Sequence, residues 1–83
     1  MSKISEERLD RVLIYVHDFI AKNNYAPVIR EICENTGVPS TASVSVYLKR
    51  LESLNLIQAQ PRKFRTLRLT ESGLDRVREL KES

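Results

Sequence analysis

The side chains with chemistry to offer gather in residues 40–54. Val44, Tyr47, Leu48, Leu51 and Leu54 recur at three- and four-residue steps, the mark of one buried helix face. The opposite face would carry Ala42, Ser43, Ser45, Val46, Lys49 and Arg50. A solvated helix normally shows Glu and Lys there. Here the leading residues are small, neutral or hydroxyl-bearing, and cations follow behind. Such a helix can approach a grooved polyanion closely. The major groove of duplex DNA admits one α-helix and is the natural candidate.

Other chemistries find little support. The chain has one histidine, His17, and one cysteine, Cys33, so neither a metal-ligand cluster nor an internal disulfide can be assembled from them. There is no glycine-rich phosphate loop and no paired nucleophile and base. An enzyme is therefore not expected, and neither a cofactor nor a metal. His17 fits a boundary position beside a helix stripe, and Cys33 fits a small packing residue. No run of apolar residues is long enough to cross a membrane, and residues 1–10 lack the apolar core of a signal peptide. A cytoplasmic, nucleoid-associated protein is the expectation.

The charge is unevenly spread. Residues 1–40 hold five Lys/Arg against six Asp/Glu, whereas residues 41–69 hold six against one. Residues 70–83 return to three against four. The positive excess thus sits in the middle third, with the candidate helix, as expected for a polyanion-binding surface. Eighty-three residues suit one small domain spanning 1–83.

The flanking segments read as a platform. A first helix is expected over 6–23, capped by Ser5, with Glu6 and Glu7 in its first turn and Leu9, Val12, Leu13, Val16, Phe19 and Ile20 facing inward. Residues 23–27, with two Asn and a Pro, break it. A second, short helix follows over 29–36, with Ile29, Ile32 and Cys33 inward and Gly37 as its left-handed terminus. Pro39 and the N-cap Ser40 then open the third helix. Short helix, Gly-containing turn and longer helix make a helix-turn-helix. Residues 56–60 and 64–69 alternate apolar and polar as a two-stranded hairpin, or wing. Its tip carries Arg62, Lys63 and Arg65, with Phe64 packing beneath. Thr70 caps a fourth helix whose stripe is Leu74, Val77 and Leu80. That helix either docks on helix 1 or pairs with a second subunit. The fold class is mainly α with a small β-hairpin: a winged helix-turn-helix of three helices and a wing, plus an extra C-terminal helix.

The segment from Tyr25 to Gln58 resembles the N-terminal DNA-binding domain of LexA-type repressors. The resemblance rests on Tyr25-x-Pro27, Ile29-Arg30-Glu31-Ile32, Gly37, Ser40-Thr41, Val44, Leu48-Lys49-x-Leu51 and Ile57, and extends from about Leu9 to Leu69. It implies a winged helix that binds palindromic operators as a homodimer and represses transcription. It places base reading on Ser40, Ala42, Ser43, Ser45 and Val46. Backbone contacts are expected from Thr41, Lys49, Arg50, Arg62, Lys63 and Arg65. Val28 departs from the family's usual Ser/Thr cap, which should weaken helix 2 by about 0.5–2 kcal/mol unless Glu31 compensates. Asn55 stands where Gly is common. The family's self-cleaving serine–lysine protease half has no counterpart in residues 1–83, so self-cleavage is not expected of them.

The expected function is a sequence-specific regulator, with helix 3 in the major groove of double-stranded DNA and a basic wing on the backbone. The alternative is a winged-helix module that docks an acidic protein without reading DNA.

Overall fold

The structure, a computed structural model, describes residues 4–59 and 67–82. Four helices and one pair of short strands follow in the order α1 (Glu6–Asn23), α2 (Ile29–Thr36), α3 (Thr41–Ser53), β1 (Ile57–Gln58), β2 (Arg68–Leu69) and α4 (Glu71–Glu82). The strands are antiparallel, with Ile57 opposite Leu69 and Gln58 opposite Arg68. The architecture is a winged helix-turn-helix with a fourth helix appended. The expected wing tip, with Arg62, Lys63, Phe64 and Arg65, lies outside the described residues.

Local chemistry sets each helix boundary. Ser5 caps α1 by accepting the Arg8 N–H, and Asn24 ends it at φ 65°, a left-handed conformation that Asn tolerates. Gly37 ends α2 at φ 78°, and Asn55 takes φ 61° just after α3. Thr70 Oγ1 accepts the Gly73 N–H at 3.0 Å to start α4. Val28 offers no side-chain cap to α2, but the Glu31 carboxylate accepts the Val28 N–H at 2.8 Å. The compensation that helix 2 needed is therefore in place.

Helix α1 is the hub, and α2, α3 and α4 all pack on it. Val12, Leu13 and Val16 of α1 meet Ile32, Val44, Leu51 and Val77 in one core from which solvent is almost fully excluded. At roughly 1.5–3 kcal/mol for each large side chain, burial on this scale is what holds so short a chain folded. Where the core would otherwise expose polar groups, they are bonded. Thr36 Oγ1 donates to the Ile32 carbonyl at 2.6 Å.

Several expected core positions turn outward. Ile29 is 39% exposed because it opens α2, before that helix reaches the core, and Leu54 is 44% exposed because α3 ends at Ser53. Phe19 and Ile20 are only half-buried. Tyr25 is a little under half exposed and stacks edge-on to Phe19, with ring centres 5.5 Å apart. In α4 only Val77 of the expected stripe is fully buried, while Leu74 stays 45% exposed. Ala59 is exposed, so the hairpin's buried face in β1 rests on Ile57.

The fourth helix docks on α1. Arg76 donates to both carboxylate oxygens of Asp10 at 3.3 Å, and Lys81 donates to Asp18 at 2.7 Å. Asp10 and Asp18 lie eight residues, a little over two turns, apart on α1, so α4 is tied to that helix at two points along its length. A close approach at Gly73 sets the helix in place. A Cβ there would overlap the Leu56 carbonyl oxygen, so only glycine fits.

Candidate nucleic-acid interface

The third helix has one face for the protein and one for solvent. Val44, Tyr47 and Leu51 point inward and are at most 5% exposed. The Tyr47 hydroxyl also accepts the Ser5 backbone N–H at 3.2 Å, tying α3 to the start of α1. Opposite them, Ala42, Val46, Lys49 and Arg50 are exposed, and Val46 is half open to solvent. Ser43 and Ser45 are half-buried, on the two flanks of this outer face. Thr41 is exposed in the first turn.

The entry into α3 is well fixed. Ser40 Oγ accepts the Ser43 N–H at 3.1 Å and donates to the Ser43 hydroxyl at 3.1 Å. Ser40 therefore spends its hydrogen and one lone pair on the helix start, whereas the Ser43 hydroxyl keeps its own hydrogen to give. No acid occupies the first turn of α3. The partial positive charge of the helix N-terminus is left for an external anion.

The turn before it is held from two sides. Arg11 reaches from α1 and donates to the Thr36 carbonyl at 3.3 Å, and the Cys33 thiol donates to the Val38 carbonyl at 3.3 Å. The first satisfies a carbonyl that the end of α2 leaves open, and the second ties α2 to the turn. Val38, in the turn itself, is buried.

A model of the LexA DNA binding domain matches residues 1–66, most of the chain. The chain belongs to that family. A LexA repressor of Ligilactobacillus salivarius is 38% identical over 76 residues, covering 92% of this chain and 37% of the relative. The LexA repressor of Acetivibrio thermocellus is 40% identical over 68 residues, covering 82% and 32%. That of Shouchella clausii is 37% identical over 75 residues, covering 90% and 36%. The chain thus spans about a third of the length of the curated relatives it matches.

In this LexA-type domain the structure gathers Ser40, Thr41, Ala42, Ser43, Ser45, Val46, Lys49 and Arg50 on one helix and its entry. Arg62, Lys63 and Arg65 lie outside the described residues. Two features of the region were not foreseen. Glu52 borders a groove of about 200 Å³ between α3 and the hairpin, beside Ser45 and Lys49. Its spacing from Ser45, seven residues or two turns, was the available signal. Arg11, which steadies the turn, gave no signal, because its partner lies twenty-five residues away. Among the described residues no group of His, Cys, Asp and Glu could hold a metal ion, and no helix is long and apolar enough to cross a membrane.

Proposed function

We propose that this domain reads duplex DNA by laying α3 in the major groove, and that it represses transcription as a homodimer occupying a palindromic operator. The observation that carries the proposal is the outer face of α3: small and hydroxyl side chains ahead, cations behind and no acid in the first turn. Ala42 and Val46, at its centre, suit thymine methyl groups. Ser43 and Ser45, on its flanks, suit base-edge hydrogen bonds on either side. Ser40 contributes chiefly by fixing where the helix starts. Thr41, Lys49 and Arg50 meet phosphates, as do Arg62, Lys63 and Arg65; phosphate contacts orient the protein without carrying sequence information.

The test separates the two kinds of contact. Ser45→Ala should relax preference at one base pair by roughly 1–3 kcal/mol, measured on duplexes varied position by position. Lys49→Ala should weaken binding to every duplex alike, and the slope of log affinity against log salt should become shallower by about 0.9. Identical behaviour of the two variants would overturn this division of roles.

A further inference from the structure

Resting on the dimer reading above, we propose that two copies of the chain pair through α4, side by side and antiparallel, with Leu74 of each copy covering an apolar groove on the other. The groove has a volume of about 270 Å³ and lies between the second half of α1, β2 and α4. Ile20, Ala21 and Leu69 form its apolar floor, and His17 and Arg68 also border it. Leu74 stands at its rim, 45% exposed. A protruding leucine and an apolar groove on the same surface are what a twofold interface needs, because each copy must offer both halves of the contact.

Charge selects a second copy as the occupant. Glu71, Leu74 and Arg78 follow one another at steps of three and four residues, so they lie along one stripe of α4. Leu74 falls close to the midpoint between the acid and the base. An antiparallel partner centred on Leu74 therefore sets Glu71 of each copy across from Arg78 of the other, and the pair forms twice. Arg78 is already near a carboxylate within its own helix, Asp75 at 3.6 Å, but both groups are well exposed and exchange costs little. The rest of α4 is anchored. Val77 is buried in the core and Gly73 lies against the Leu56 carbonyl, so the helix is held in place rather than free to swing.

The chain measures 32 × 31 × 22 Å, so the centres of two abutting copies lie about one molecular width apart. Successive major-groove faces lie on the order of 34 Å apart. One helix and one groove per copy make a small contact against the roughly 1,200–2,000 Å² of a standard stable interface. The pairing is therefore weak in free solution and takes effect when both copies sit on adjoining half-sites, where local concentration is high.

The experiment uses the whole chain and two duplexes. One is selected from random sequence by the unmodified chain; the other is the same duplex with one half scrambled. Leu74→Glu, at an exposed position away from α3, should leave affinity for the half-scrambled duplex within about twofold. It should lower affinity for the intact duplex by roughly a hundredfold, the scale that a second tethered contact adds. Glu71→Lys and Arg78→Glu should each do the same alone, and an equimolar mixture of the two should regain the lost affinity, since each then meets its opposite. A general loss of folding would not be repaired by mixing. Unchanged binding of the intact duplex by Leu74→Glu, or no recovery on mixing, would overturn the α4 interface and leave DNA reading by α3 standing. A lack of preference by the unmodified chain for the half-scrambled duplex over random DNA would remove both.

Discussion

The two helices of the helix-turn-helix begin in opposite ways. At the start of α2 there is no side-chain cap, and the protein supplies an anion of its own: Glu31, whose carboxylate takes the Val28 N–H. At the start of α3 the cap is the neutral hydroxyl of Ser40, and the first turn holds no acid. Both other helices follow α2 in carrying acids there, Glu6 and Glu7 in α1 and Glu71 in α4. Of the four helices among the described residues, only α3 has no acid in its first turn. Helices that build the frame are completed from within the chain; the helix proposed to meet DNA is left to be completed by phosphate.

Several substitutions would break or sharpen this contrast. The largest effect is expected from Leu51→Ala, which removes a buried side chain from the inner face of α3. It should cost about 2–5 kcal/mol of stability in urea unfolding, and a loss well under 1 kcal/mol would mean that α3 is not held by that face. Next comes Thr41→Glu, which gives α3 the solution used by α2. The helix should gain about 0.3–1 kcal/mol of stability from the dipole while DNA affinity falls by roughly 2 kcal/mol, because the new carboxylate meets phosphate. A fall or rise in both together would erase the distinction between the two helices. Glu31→Ala should remove the closure of α2 and cost about 0.5–2 kcal/mol of stability, with DNA affinity per folded molecule nearly unchanged.

The smallest effect concerns the α4 clamp. Burial works against the charge of Asp18, but hydrogen bonds from Lys81 and His17 outweigh it and hold the carboxyl below its ordinary range. A depressed folded pKa contributes stability that is present above the unfolded value, near 4, and is lost as pH falls through the folded value. Both partners are about half exposed, so the contribution is at most about 1 kcal/mol. Comparing unfolding at pH 6 and pH 3 for the natural chain and Asp18→Asn checks it. The variant should lose less stability on acidification; equal losses would contradict the clamp.

The parts of the molecule that were legible beforehand are those written in local spacing. The α1 and α2 boundaries, the cap at Ser40 and the left-handed Gly37 and Asn55 all follow from residue types within one turn of each other. Periodicity erred at helix ends, where Ile29 and Leu54 keep the apolar rhythm but have no neighbouring element to cover them. Long-range placement was not legible. α4 docks on α1 by burying Val77 in the core, and Asp10–Arg76 and Asp18–Lys81 meet there across separations of 66 and 63 residues. Nothing in the spacing around Gly73 marks it, and only the fold brings the Leu56 carbonyl against it. The candidate face of α3 was legible in its residue types, but the engagement of the Ser40 hydroxyl with Ser43 appears only in three dimensions.

The most direct measurement is selection of duplexes from random sequence by the unmodified chain, followed by titration of the enriched duplex and a scrambled copy across a salt series. The predicted result is a site of two related, inverted halves bound at least about 10³-fold more tightly than the scrambled copy, a preference that persists as salt weakens both. Equal, weak binding of the two duplexes that vanishes with salt would contradict sequence reading by α3 and leave a basic surface suited to an acidic protein.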